Sequence, residues 1–384
     1  MSLPGELTVR LAWDGRRVVH VDVESTRPLI AGRLVAGKPA AEAAAMLPRL
    51  YSICGHAQSA AARSALDAAA GLVPAPEALA ARAAAVVLET IQEYLWRLLI
   101  DWPRAMARSP VVAAVAAVRQ RIAPALQRLA GSTADADRVE PALVAALEAL
   151  ADEHVYGEPV DAWLNRADVA AFDGWTAGGT TLPARLQREL MDTAPQLGRS
   201  ATMLMPAATA IELQQAVVPS LRGDPAFARA PYWQGMTAET GALARTRSWP
   251  LVAALADRDG HTVATRMAAR LAELALLLRR ARRPFGGDGD PRWVDAFALG
   301  RDEGLAAVQT ARGLLLHRAR LHDGRVADYQ VVAPTEWNFH PAGPLVQGLE
   351  GAEAPDAAVL ERHARLAVQA LDPCVACNIE VGHA

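Results

Sequence analysis

The sequence predicts an α+β, mainly α fold, with a helical bundle core and small β elements near both ends. Three observations predict it. Apolar and polar residues alternate on both sides of a tight-turn signal near the start, a second such pair stands near the end, and apolar residues recur at helical spacing between them. Hydrophobic residues make up 52% of the chain, enough for a sizeable core, and we read 1–384 as one domain.

The elements follow in order. Residues 6–12 and 17–25 alternate around Asp14-Gly15, which predicts a β-hairpin. From Val87 to Leu99, the residues Val87, Leu88, Ile91, Leu95, Leu98 and Leu99 fall on one helix face. From Thr265 to Arg283 the pattern repeats, with Met267, Leu271, Leu274 and Leu278 inward. That helix closes on Arg279, Arg280, Arg282 and Arg283, where cations suit the helix dipole, and the basic end reads as solvated. Pro284 to Pro291, rich in Gly and Asp, reads as a loop. Leu314 to Leu321 and Val326 to Val332 flank His322-Asp323-Gly324, a second hairpin.

Composition excludes several classes. The formal net charge is −3, and Lys and Arg are scattered, so no nucleic acid partner is expected. The longest apolar runs, such as Val111 to Val118, fall far short of the ~18 residues that cross a bilayer, so no membrane span is expected. Met1 to Val9 lacks a basic segment followed by an apolar one, which argues against a signal peptide. Three cysteines make a disulfide framework improbable, so the expectation is a cytoplasmic protein with reduced thiols, available as soft metal ligands.

Those thiols carry the chemistry. Asp372-Pro373-Cys374-Val375-Ala376-Cys377 places two of them three positions apart, able to grip one metal ion. Spacing alone equally allows half a zinc site or two ordinary cysteines. The remaining thiol, Cys54 in Ile53-Cys54-Gly55-His56, lies at the other end of the chain. It joins a three-thiol site only if the ends meet, and is otherwise a buried structural cysteine.

Further segments extend the pattern: Glu239-Thr240-Gly241-Ala242-Leu243-Ala244-Arg245, Ala311-Arg312-Gly313 with Leu315 and His317, and Tyr329-Gln330-Val331-Val332-Ala333-Pro334-Thr335-Glu336-Trp337-Asn338. With the two cysteine segments, these resemble, in order, motifs of the nickel–iron hydrogenase large subunit. The resemblance spans nearly the whole chain, with residues 105–225 poorly matched. It implies that fold, and a site in which four cysteines hold nickel and iron, the iron carrying one carbon monoxide and two cyanides. By this resemblance Cys54 and Cys374 match the terminal nickel ligands and Cys377 a bridging ligand. Arg312 matches an arginine over the metals, and Pro334 with Thr335 the segment that hydrogen-bonds a cyanide. Leu315 matches the apolar residue beside the iron ligands, and Asp372 and Asp101 the carboxylates that hold and accompany that arginine. Cyanide nitrogen accepts hydrogen bonds, which suits a guanidinium and a hydroxyl. Without the resemblance, Arg312 would read as a surface strand residue and Thr335 as a turn residue.

The departures decide the function. Ala57 stands where the second bridging cysteine belongs, Ala61 where the motif has histidine, and Ser52 where it has arginine. A methyl group cannot ligate, so a four-thiolate nickel–iron pair is not available and nickel is not expected. Pro4 replaces the acid used for proton transfer, and Glu380 replaces the last basic residue of the C-terminal motif. The short segment after Cys377 contrasts with the longer, cleaved tail of hydrogenase precursors. These losses resemble the HupK/HoxV group of hydrogenase expression/formation proteins. That resemblance implies a non-catalytic scaffold or chaperone that transiently holds the Fe(CN)2CO fragment. Its partners would be the hydrogenase large subunit precursor and hydrogenase maturation chaperones. Cys374 and Cys377 would be the main iron ligands, with Cys54 as a third thiolate that comes and goes. The alternatives are an active hydrogenase with an unusual ligand set, and a structural zinc-binding protein. His56 and His383 read as satisfied or solvated, and His317 and His340 as packing and hydrogen-bonding residues.

Overall fold

The computed structural model describes residues 5–51, 53–130, 137–287 and 292–384. Strands β1 (Glu6–Trp13) and β2 (Val18–Ser25) form the expected antiparallel hairpin. The Asp14 carboxylate closes the turn by accepting the backbone N–H groups of Arg16 and Arg17, and Gly15 takes a φ of 95°. Leu7, Val9, Leu11, Val21 and Val23 are buried, which is the face selected by the alternation.

Helix α1 (Gly55–Ala69) is alanine-rich along its buried face, so it packs close to a sheet. At Gly304 of that sheet a Cβ would stand 2.5 Å from the Ala65 carbonyl oxygen, leaving room only for glycine. Helix α2 (Pro76–Trp96) begins on a proline, where no N–H is needed, and continues through a wide π-type turn at Arg97–Asp101 into Trp102–Ala105. The predicted stripe from Val87 to Leu99 is buried throughout. Helix α3 (Val112–Ala130) lies along α2.

Helix α4 (Val263–Ala281) is capped by the Thr262 hydroxyl, which accepts the Thr265 N–H, and is buried on nearly every side. Its basic end is solvated as expected at Arg279, Arg282 and Arg283, which are exposed, and departs from the expectation only at Arg280. Arg280 is buried and donates to the carbonyls of Arg283 and Pro284, Arg282 pairs with Glu148 and Asp161, and Arg279 lies over the Trp249 ring. Partners on other helices leave no trace in a helix's own periodicity. Residues 288–291 of the expected loop lie outside the described residues.

Strands β3 (Val294–Gly300), β4 (Glu303–Thr310), β5 (Gly313–His322) and β6 (Arg325–Val332) form an antiparallel sheet in that order. The last two are the second expected hairpin, turning on Asp323 and Gly324 at φ 49° and 72°. Helix α5 (Pro334–Asn338) follows, then α6 (Ala357–Leu371), which ends on Asp372 in a left-handed conformation. Strand β7 (Ala376–His383) then runs parallel to β1, from Glu6↔Ala376 to Trp13↔His383. The distant ends of the chain therefore meet in one sheet. No helix of the described residues is long and apolar enough to cross a membrane.

Candidate functional site

Arg312 sits in the tight connection between β4 and β5, and three sequence segments clasp it there. The Thr240 hydroxyl accepts the Leu314 N–H at 2.9 Å, and the Asn338 amide accepts the Thr240 N–H at 2.9 Å. Asn338 Nδ2 in turn donates to the Arg312 carbonyl at 3.2 Å and the Leu371 carbonyl at 3.3 Å. Gly313 takes a φ of 125° in this clasp, where a Cβ would fall 2.4 Å from Thr240.

The buried Arg312 guanidinium donates from Nη2 to Glu93 Oε2 at 2.8 Å, and its Nε lies 3.4 Å from Asp372 Oδ1. Asp372 also pairs with Arg97 Nη2 at 2.8 Å, and Arg97 pairs with Asp101. Burial alone would raise the Asp372 pKa, but Arg312, Arg97 and Arg270 outweigh it and hold the carboxyl below its ordinary value. Arg312 is likewise held charged against burial, by Asp372, Glu93 and the thiols of Cys54 and Cys374.

One expectation is corrected here. Asp101 does not hold Arg312; it bonds Arg97 and the Trp96 indole, one ion pair removed. The π-type turn carries the helix past Asp101. Glu93 takes the place expected of Asp101. Its signal was the spacing Glu89, Glu93, Arg97, Asp101, a polar row at intervals of four along α2.

The thiols are only partly gathered. Cys374, just after the left-handed Asp372, lies 3.1 Å from the Thr335 hydroxyl, which donates to its Sγ and accepts its backbone N–H. Pro334 and Thr335 are buried in the first turn of α5. Cys54 is the residue preceding α1, and Gln58 Nε2 donates to its Sγ at 3.6 Å. The same Gln58 bonds His317 at 2.8 Å, and His317 bonds Tyr329 at 2.7 Å. Burial, then the neighbouring Cys374 and Glu89, push the Cys54 thiol up to about 12. Cys54 and Cys374 thus share one electrostatic neighbourhood with Arg312.

Cys377 does not join them. Its register opposite Leu7 binds it into β7, its thiol faces the Asn378 carbonyl at 3.8 Å, and the charge acting on it is that of Arg365. Among the described residues no three His, Cys, Asp or Glu side chains stand close enough to hold a metal ion. The expected convergence of three thiols is thus not seen: Cys54 and Cys374 are electrostatic neighbours, and Cys377 stands apart in β7.

Where the fourth thiol would belong, Ala57 is fully buried and its N–H donates to Glu89 Oε2 at 2.9 Å; the His56 N–H donates to Oε1, also at 2.9 Å. Burial pushes Glu89 up to about 7 despite these bonds. Leu315 is fully buried in the hydrophobic core. His317 is pushed down to about 3 by burial and by Arg27, and so is neutral. His340 stacks edge-on with Tyr232, and His383 lies by Trp13. Glu380 pairs with Arg10 on the exposed face of β1. Pro4 and Ser52 lie outside the described residues.

A cavity of about 650 Å³ between α2 and α3 reaches Gly55, His56, Glu89 and Glu93, so the α2 carboxylate row borders open space. Chemically, the two free thiols offer soft donors for a metal, and Arg312 Nη1 is a buried donor without a hydrogen-bond partner. That unpaired N–H fits an anionic acceptor beside the sulfurs.

A family profile described as nickel-dependent hydrogenase matches residues 289–380. The chain is 33% identical to the hydrogenase expression/formation protein HoxV of Cupriavidus necator, over 97% of this chain and 96% of that protein. It is also 33% identical to the hydrogenase expression/formation protein HupK of Azotobacter vinelandii, over 100% of both chains. In fold it resembles the Ni-Fe-Se hydrogenase from D. vulgaris Hildenborough, with a TM-score of 0.63 at 14% identity over 94% of each chain. A full-length match at that identity, on a hydrogenase large-subunit fold, establishes that the chain belongs to the HoxV/HupK family of hydrogenase expression/formation proteins.

Proposed function

We propose that this protein is a non-catalytic scaffold of nickel–iron hydrogenase maturation. It holds the Fe(CN)2CO fragment as cargo before transfer to the hydrogenase large subunit precursor, working in the cytoplasm with maturation chaperones. The observation that carries the reading is the buried Arg312, with an unpaired Nη1, beside two thiols. Iron takes the thiolates of Cys54 and Cys374, while Arg312 and Thr335 donate to cyanide nitrogens. Carbon monoxide accepts hydrogen bonds poorly and is left to the apolar side that Leu315 supplies.

Ala57 in place of the fourth thiol supports a carrier over a catalyst. Fewer thiolates bind the metal more weakly, and a carrier must release what it holds. Loss of the proton-relaying acid at Pro4 points the same way. Cys377, paired opposite Leu7 in β7, is left out of this ligand set.

Infrared spectroscopy of protein produced with the maturation machinery tests the reading. Bands in the cyanide and carbonyl stretch region are expected, with iron and without nickel in equal amount. Cys374→Ala should abolish them, and Arg312→Ala should move the cyanide bands more than the carbonyl band. No bands in the unaltered protein, or zinc in place of iron, would overturn it.

A further inference from the structure

A second guanidinium stands in the electrostatic neighbourhood of the two thiols, on a segment that no sequence motif singled out. Arg27, just past the end of β2, is buried, with 8% of its surface exposed. Its Nη1 donates to Glu336 Oε1 at 2.8 Å, and its guanidinium lies 5.5 Å from the centre of the Tyr51 ring. Both anchors are neighbours of the thiols. Glu336 follows Thr335, whose hydroxyl bonds Cys374, and Tyr51 lies just ahead of Cys54. The charge of Arg27 acts on Cys374 and, more weakly, on Cys54. Its Nε and Nη2 have no hydrogen-bond partner among the described residues, so donors remain to be used.

A buried anionic fragment asks for charged hydrogen-bond donors around it. Iron(II) with two cyanides is neutral, and two thiolates make the bound fragment a dianion. Arg312 is already engaged by two carboxylates, Glu93 and Asp372. Arg27 is matched by one carboxylate, Glu336, so the pair is neutral and what it adds to the pocket is guanidinium N–H donors. A buried dianion is costly unless its charge is met by hydrogen-bonded cations.

We propose that Arg27 is the second anion clamp of this pocket, donating its free N–H groups to a cyanide nitrogen of the iron fragment, which is then gripped between two guanidiniums. The proposal rests on the iron-carrier reading above, and refines it by assigning a binding residue that the hydrogenase motifs do not supply.

The test uses the full-length protein loaded during co-production, comparing Arg27→Met and Arg27→Lys with the unaltered chain. Arg27→Met should shift a cyanide band while the carbonyl band moves little. It should also retain iron roughly tenfold less well through gel filtration, the effect of one lost charge-assisted hydrogen bond. Arg27→Lys, which keeps the charge but loses the fork, should fall between. If Arg27 only braces the core, Arg27→Met lowers the unfolding midpoint and leaves the cyanide bands in place, which overturns the proposal. Should Arg27→Met not fold, unmoved cyanide bands in Arg27→Lys overturn it equally. Absence of bands from the unaltered protein would instead defeat the carrier reading, and the clamp with it.

Discussion

The Thr335 hydroxyl and Cys374 are joined twice: the oxygen donates to Sγ at 3.1 Å and accepts the Cys374 N–H at 3.1 Å. One side chain thereby fixes both the backbone and the sulfur of the residue that opens the C-terminal cysteine pair. Thr335→Val keeps the shape and removes both bonds. It should cost about 1–2 kcal/mol of unfolding free energy, read from urea midpoints. It should also speed alkylation of Cys374 several-fold, followed by mass spectrometry, while Thr335→Ser stays near the unaltered rate. Equal rates in all three would mean the hydroxyl does not govern that sulfur.

Asp372 is the shared counter-charge of Arg312 and Arg97, and Arg270 lies within its field. Asp372→Asn would leave these buried cations short of a partner, at a cost of about 3–5 kcal/mol. The pH dependence has a definite sign. A carboxyl held below its ordinary pKa stabilises the fold fully above the unfolded value of ~3.9, and that stability drains away as pH falls through the folded value. Acid titration of the unaltered protein, followed by circular dichroism, should show this loss below about pH 4, and Asp372→Asn should lack it. An unchanged acid limb in the variant would count against the assignment.

The fold was legible where periodicity is local. Both hairpins and the α2 stripe follow from alternation, turn residues and helical spacing. Strand β4 was not, because Glu303–Thr310 is buried almost throughout, polar ends included, and so shows no in–out alternation. Strand β7 escaped for a different reason: its register is supplied by β1, from the opposite end of the chain. At the site, Arg312, Thr335, Cys54 and Cys374 were reached through ordered motifs. Glu93 and Arg27 were not, since each is placed by a partner distant in sequence, Arg312 and Glu336 respectively. Cys377 shows the converse. Its spacing from Cys374 fits shared ligation, yet sheet pairing decides where the thiol goes.

Glu89 gives a pH signature opposite to that of Asp372. Its carboxylate accepts the His56 and Ala57 N–H groups at the start of α1, but burial outweighs those bonds and pushes it up from 4.5 to about 7. The folded chain therefore takes up this proton before the unfolded chain does. Stability gained from it is present below the unfolded pKa and is lost as pH rises through about 7. Relative to Glu89→Gln, the unaltered protein should lose on the order of 1 kcal/mol per pH unit across that window. Urea unfolding at several pH values measures the difference. A difference that does not change with pH would show that Glu89 does not titrate there.

Two glycines with positive φ separate backbone strain from crowding. Gly324, at 72°, sits in the β5–β6 turn, where an added methyl would meet nothing within 4 Å, so Gly324→Ala carries only the conformational cost, about 1 kcal/mol. Gly313, at 125°, would place its methyl 2.4 Å from Thr240 Cγ2 and 2.8 Å from the Gly241 nitrogen. Gly313→Ala must therefore part the segments that clasp Arg312, at a cost of about 2–4 kcal/mol. Because Leu314 and Thr240 would separate, the variant should also loosen the Arg312–Glu93 pair and move the cyanide bands of loaded protein. Thermal and urea unfolding of the two alanine variants, side by side, check the order. Equal losses would mean that the clasp yields to the extra methyl and does not fix the guanidinium.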